Sequence, residues 1–304
     1  RGRSVVFDRA AGMHLYGKAP MKSVRFILCM VFILSTSGTT FGHEEGAPFS
    51  GAISEPIKVH HAHIEDEQSL NFSFSDNFQK EEDSNKRFAF ESSLELATTW
   101  NDDFNLGSEV LIPFSNKGNG DDRYALGDIE IWPIKYAFLN QPETILTGAM
   151  SISLPTGDKT YGFGEEQTKL GALLFFDQAW RNWFFGANAE FESVVSGPTE
   201  TEVELAFAVS YSLIKGTDQG VAPSKPNQPI VPVLSLELIS ENIVSGLEKE
   251  NDSLTVLPGI QLWSPVSGWQ AALGAELPLS AYRNSDYQIH FKLRNHLDWG
   301  HWLK

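Results

Sequence analysis

The sequence predicts an all-β fold: a closed antiparallel transmembrane β-barrel of about 12 strands after a cleaved signal peptide. Three observations predict it. Apolar residues recur with a period of two, the strand-like runs are mostly about 9–13 residues long, and the connections alternate long and short. Ordinary globular strands average about five or six residues, whereas a tilted strand needs about 9–11 to cross a bilayer. The composition agrees. The 304 residues are 41% hydrophobic, 12% aromatic and 20% charged, with 25 Gly, 21 Phe, one Cys and a formal charge of −16. This excludes a disordered chain and a disulfide scaffold, and the lack of basic excess argues against a nucleic-acid partner.

The N-terminal region reads as an address. From Met21, Lys22 and Arg25 form a positive stretch, Phe26 to Leu34 an apolar one, and Thr40 and Gly42 a small-residue cleavage site before His43. The apolar run is about nine residues, against roughly 20 for a spanning helix. Residues 1–20 then read as an upstream extension, 21–42 as the signal peptide, and 43–67 as a polar, His- and acid-rich periplasmic leader. The barrel is expected over 68–299, with a short tail over 300–304. Cys29 lies inside the signal, so thiolate chemistry is not expected of the remainder. Six of the 23 Lys and Arg but only one of the 39 acids lie in residues 1–42, leaving −21 on the rest.

Alternation then places the strands. Phe90, Leu94, Leu96 and Trp100 oppose Glu91 and Glu95. Trp183, Phe185 and Phe191 oppose Asn188 and Glu190, and Leu205, Phe207 and Tyr211 oppose Glu204 and Ser210. Strands are expected at 68–75, 88–100, 104–114, 128–139, 144–154, 167–180, 183–193, 202–214, 230–239, 254–263, 269–279 and 287–299. The tight turns are Asn101–Asp103, Asn140–Glu143, Arg181–Asn182 and Ser264–Gly268. Trp100, Phe104, Phe138, Trp180, Trp183, Trp263 and Trp269 flank them, as an interfacial aromatic girdle requires. Lys215–Pro229 breaks the rhythm, being long where a turn is expected. Nearby Pro223, Pro226, Pro229 and Pro232 point to an extended excursion there.

A lipid-exposed sheet must close, because unpaired backbone groups find no water. The apolar set faces lipid. Glu91, Glu95, Glu109, Glu190, Glu204, Glu237, Glu276, Lys292 and Arg294 face inward as candidate lumen-lining residues. The partners expected are outer-membrane lipid, a small-molecule solute and the outer-membrane assembly machinery; no cofactor is expected.

The stretch Gly127–Tyr136 (GDIEIWPIKY) followed by Ile145–Asp158 (ILTGAMSISLPTGD) resembles the outer-membrane family of the phenol-degradation meta-cleavage pathway, also described as transporter-like. Gly127, Asp128, Lys135, Tyr136, Leu154, Pro155, Thr156, Gly157 and Asp158 carry the likeness. It implies a barrel in the outer membrane that passes a small, hydrophobic or aromatic compound, and no enzyme. The chain departs from many barrels in ending His301-Trp302-Leu303-Lys304, with Trp299 as the candidate terminal aromatic.

Other chemistry is sparse. His60, His61 and His63, beside Glu65, Asp66 and Glu67, suit Zn, Cu or Ni and mark a weak candidate for periplasmic metal capture. The bland reading, a solvated polar leader, weighs more, because the residues imply no fixed geometry. The acidic runs Phe78–Arg87 and Ser115–Arg123 read as solvated loops. No Gly-x-Ser-x-Gly, phosphate loop or His-Glu-x-x-His occurs. A soluble all-β binding protein with a metal-holding leader, and an outer-membrane hydrolase, stand as the second and third readings.

Overall fold

The structure, a computed structural model, describes residues 55–76, 88–116, 124–158, 163–197, 199–214, 216–217, 220–223, 230–246, 252–264, 268–282 and 285–296. Twelve long strands form one closed ring. They are β1 (Glu67–Asp76), β2 (Phe88–Thr99), β3 (Leu106–Asn116), β4 (Ile129–Gln141), β5 (Thr144–Leu154) and β6 (Lys169–Trp180). The ring continues with β7 (Trp183–Val194), β8 (Thr201–Ser212), β9 (Val231–Ser245), β10 (Asp252–Trp263), β11 (Trp269–Pro278) and β12 (Tyr287–His296). Each pairs antiparallel with its neighbour in sequence. β1 closes the ring on β12, from Glu67 opposite His296 to Asp76 opposite Tyr287. Closure gives both edges of every strand a partner, which an apolar surround demands.

All twelve expected strands are present. The largest boundary difference is in β9, which runs to Ser245 rather than 239. Lys215–Pro229 does not stay wholly extended, since Gly216–Thr217 pairs with Gly220–Pro223 in a small hairpin. β8 and β9 still pair directly, from Val233 opposite Ser212 to Ser245 opposite Thr201. Two in-strand prolines fall at interruptions of the ladder. Pro133 lies where β4 shifts register between Ile131 and Ile134, and Pro258 lies between the paired stretches of β10 and β11. A residue without an N–H costs least where no ladder bond is due.

The outer face is apolar. Phe138, Met150, Phe176, Phe185, Phe207, Leu236 and Leu273 are exposed large hydrophobics around the ring. Trp100, Trp180 and Trp183 are exposed beside the tight turns, as expected of a girdle. Trp263 departs from that expectation: it is buried at 3% exposure and packs inside, among Trp132, Phe175 and Phe184. Its position has the parity of Gln261, the inward residue two before it. The tight turns are tied by their own amides. Asn182 Nδ2 donates to the Ser212 carbonyl at 2.9 Å, and Arg181 takes the left-handed conformation (φ 55°) that a two-residue turn requires.

The expectations for residues 1–54, for Trp299 and for the 300–304 tail lie outside the described residues, as do most of the two acidic loops. Because all strands are mutually paired, the chain should resist unfolding in detergent. Unheated samples are expected to migrate faster on SDS gels than boiled ones. Identical migration would contradict a closed barrel.

Candidate functional site in the barrel lumen

The segment Glu55–Asp66, expected as part of a leader outside the barrel, lies inside it. Ten of its twelve residues are buried, all but Lys58 and His60; Glu55, Ile57, Val59, His61, Ala62, His63, Ile64, Glu65 and Asp66 are each no more than 6% exposed. Glu55 lies beside Gln270 near a tight turn, Ile57–Val59 lie against mid-strand Glu237, Gly259 and Gly274, and Asp66 returns beside Thr99 and leads into β1. The correction has a physical cause. The segment mixes polar groups with Ile57, Val59, Ala62 and Ile64, and the wall offers partners for both kinds.

The polar attachments run mainly from wall side chains to loop backbone. The Glu237 carboxylate on β9 accepts the N–H groups of Ile57, Lys58 and Val59 at 2.6, 2.8 and 2.9 Å. Three successive N–H groups form a concave anion nest, here filled by the barrel's own carboxylate. Gln270 on β11 pairs with Glu55 in both directions, accepting its N–H at 3.2 Å and donating to its carbonyl at 2.9 Å. Asp177 on β6 accepts from Ala62 N–H at 2.7 Å, and Thr147 on β5 donates to the Ala62 carbonyl. Asp66 accepts the Thr99 N–H at 2.6 Å at the foot of the loop.

Charges pair across the same interface. Glu55 meets Lys292 at 2.9 Å and Arg294 at 3.2 Å, and Arg294 also binds Glu67. Lys58 meets Glu276 at 3.2 Å, and His290 meets that carboxylate at 2.7 Å. Such pairs add little net stability when buried, but removing one partner costs about 3–5 kcal/mol. They therefore fix where the loop sits more than how strongly.

The apolar contacts are shaped to the loop. Ile57 packs with Leu257 and Ala272, and Val59 with Ala206, Ala208 and Ile239. Ala62 and Ile64 join the larger cluster of Trp132, Ile145, Phe175, Phe184 and Trp263. Gly259 and Gly274 face each other across β10 and β11, and a Cβ on either would stand 2.5 or 2.6 Å from Ile57 Cδ1. A Cβ at Gly107 would meet Ile64 Cγ2 at 2.5 Å. Glycine inside a strand often marks the close approach of another chain segment, and here that segment is the loop.

Above the loop tip, toward the long-loop end, lies a cavity of about 530 Å³. Ile57, Lys58 and His60 contribute to its floor, and Asn71, Ser73, Glu91, Glu95, Leu111 and Lys292 to its wall. Phe163, Gly164 and Glu165, after β5, also line it. The motif residues hold that connection in place. Asp128 accepts N–H groups of Gly157 at 2.8 Å and Glu165 at 2.7 Å, and Thr156 Oγ1 donates to the Gly127 carbonyl at 2.8 Å. Gly157 has no room for a side chain, since a Cβ would stand 2.3 Å from the Phe163 carbonyl oxygen. Pro155 and Asp158 are exposed, Lys135 is buried on the inner face, and Tyr136 is exposed on the outer one.

Of the nine residues expected to line the lumen, Glu95, Glu109, Glu237, Glu276, Lys292 and Arg294 are buried on the inner face. Glu91, Glu190 and Glu204 are partly exposed there. Glu190 lies opposite Glu204, and Glu204 opposite Glu241, so the upper wall carries an acidic row. The three histidines divide among different partners. His60 stands with Glu95 and Glu109, His61 with Glu55 and Glu67, and His63 Nδ1 is 3.2 Å from Asp177. The first two groups are close enough to hold a metal, but wall cations already occupy the carboxylates: Lys135 is 3.5 Å from Glu109, and Arg294 and Lys292 hold Glu55. Burial lowers His60 to about 4, and it lowers His61 well below the ordinary imidazole value, with His63 adding to the effect.

Sequence reasoning missed Asp177, Gln270, Thr147 and the loop's own Ile57, Val59 and Ile64. Two signals were present: Ile57, Val59, Ala62 and Ile64 among the charged and His residues of 55–66, and glycines in mid-strand on both sides of one hairpin.

This architecture defines an outer-membrane-type β-barrel with a loop-filled, charge-paired lumen. No protein-family model matches the chain, and no curated protein matches it. Among solved structures, the COG4313 outer membrane channel from Pseudomonas putida F1 matches with a TM-score of 0.52 and 12% identity, covering 80% of this chain and 99% of that one. The NanC porin matches at 0.48 and 10%, covering 76% and 99%, and the β domain of the Bordetella autotransporter BrkA at 0.45 and 12%, covering 77% and 100%. At these identities the likeness to the first establishes the fold alone, and the other two carry no further weight.

Gly259→Leu should push Ile57 from its seat without breaking the ring, because its added side chain meets side-chain ends, Ile57 Cδ1 of the loop at 2.5 Å and Ser235 Oγ of β9 at 2.7 Å. Protease is then expected to cut within 55–66 in the variant and not in the parent, with heat-dependent migration retained. Equal protection in both would show that the seat is not specific.

Proposed function

We propose that this chain is an outer-membrane channel that passes a small solute and has no enzymatic role. The observation that carries the reading is a closed ring, apolar outside, whose inner face holds charged and polar groups around a cavity of about 530 Å³. A cavity of that size suits one small organic molecule. Its lining joins apolar Leu111, Pro113 and Phe163 to Asn71, Ser73 and Ser93. This favours a solute with an apolar or aromatic body and polar substituents, in keeping with the resemblance of the Gly127–Asp158 region to the meta-cleavage pathway family.

Acyl chains cover the outer face, and assembly machinery of the outer membrane inserts the barrel. The short turns face the periplasm and the long connections the exterior, as in other barrels of this kind. A soluble binding protein is disfavoured by the outer face, which would present Phe138, Met150 and Phe207 to water. The acidic row of Glu190, Glu204 and Glu241 favours cations or neutral solutes over anions.

Planar-bilayer recordings of the full chain test the proposal. Discrete conductance steps are expected, with solutes of the stated class reducing the current. Silence from the parent and from all variants would overturn the reading. Glu190→Lys should shift the reversal potential toward anion selectivity; an unchanged potential would remove Glu190 from the path.

A further inference from the structure

We infer that Glu55–Asp66 is a gate, a tethered stopper that leaves the lumen as a unit toward the periplasmic side. This rests on the channel reading above and adds how the path opens. Four features of the loop support withdrawal over permanent filling.

First, the ring does not need the loop. All twelve strands complete their ladders with each other, and no residue of 55–66 belongs to a strand. Withdrawal therefore breaks no β-ladder bond. Second, both described ends of the loop, Glu55 and Asp66, lie at one end of the barrel. Glu55 lies beside Gln270, near the start of β11, and Asp66 beside Thr99, at the end of β2; both positions adjoin the tight turns. A segment that rises and returns by the same opening can slide out without threading. Third, its polar attachments have water as an alternative partner, while Ile57, Val59, Ala62 and Ile64 give up their apolar contacts on leaving. The polar attachments are hydrogen bonds from Glu237, Asp177, Thr147 and Gln270 and ion pairs to Lys292, Arg294 and Glu276. Once the loop leaves, the wall groups solvate and become the polar lining of the opened lower lumen. The released segment exposes Glu55, Lys58, His60, His61, His63, Glu65 and Asp66, which outnumber the apolar Ile57, Val59, Ala62 and Ile64 released with them. Fourth, the closed position is singular. Gly259, Gly274 and Gly107 leave room for Ile57 and Ile64 at defined points, and Glu237 receives three successive N–H groups at the loop tip. A stopper needs one well-defined seat and a surface that tolerates leaving it. Both are present.

Glu237 is the principal latch, because it alone binds the tip at three points. Replacing it by Gln removes the charge and one acceptor oxygen from the nest while preserving size.

A reversible cross-link tests the gate in the full chain. Cys29→Ser clears the other thiol, and Ile57→Cys with Gly259→Cys places two thiols where Ile57 contacts the strand. Folding is confirmed for each variant by heat-dependent gel migration, and the disulfide by gel shift under oxidising conditions. Single-channel recordings should then show a closed barrel when oxidised. Reductant should raise the open probability at least about tenfold, a change of about 1.4 kcal/mol in the opening equilibrium. Glu237→Gln, which needs no cross-link, should raise it about tenfold over the parent. If the oxidised, reduced and Glu237→Gln proteins all open as often as the parent, the gate is overturned and the channel stands. If a variant lacking 55–66 folds but stays as silent as the parent, the channel reading itself falls.

Discussion

The structure depends on one constraint: a β-strand in lipid has no water to satisfy its backbone. Every N–H and C=O must find a neighbouring strand, so the sheet closes and every strand acquires two partners. Closure sorts side chains into an outside and an inside. Phe138, Phe185 and Phe207 are then free to face acyl chains, and Glu109, Asp177 and Glu237 are forced into a confined interior. The features inside the ring answer the second consequence.

A confined charge is costly unless it is paired or wet, and this lumen uses both remedies in different halves. Toward the tight turns, the loop brings backbone N–H groups to Glu237 and Asp177, and Glu55 to Lys292 and Arg294, while Ile57, Val59 and Ile64 fill the remaining space. Toward the long connections, an open cavity is lined by Glu91, and Glu190 and Glu204 on the same inner face are only half-buried. The Asp128 knot holds Phe163 over that cavity, so the Gly-Asp and Thr-Gly elements of the sequence motif serve loop placement and not chemistry on a solute.

Much of this was legible beforehand where one strand's own pattern was enough. The alternation through Trp183–Phe191 and Val203–Leu213 assigned inner and outer faces, and the spacing of tight turns gave the strand count. It failed for Trp263, whose place beside a turn matched a girdle although its parity with Gln261 placed it inside. It failed for Glu55–Asp66 because its scattered apolar residues do not show where the segment docks. Its backbone bonds go to Glu237 and Asp177, which lie 178–180 and 115 residues away in sequence. Likewise His60, His61 and His63 look like one cluster in sequence, yet their carboxylate partners differ: Glu95 and Glu109 on the wall, Glu55 of the loop with Glu67 of β1, and Asp177 on β6.

The amino-acid pattern alone therefore determined a twelve-stranded barrel with an apolar exterior and an acidic interior, because strand period and length are local properties set by the pleat and the thickness of a bilayer. Only the tertiary structure decided what occupies the interior. The seat of the loop is assembled from single residues on separate strands, Gly107, Asp177, Glu237, Gly259 and Gln270, and those meet only after the ring has closed.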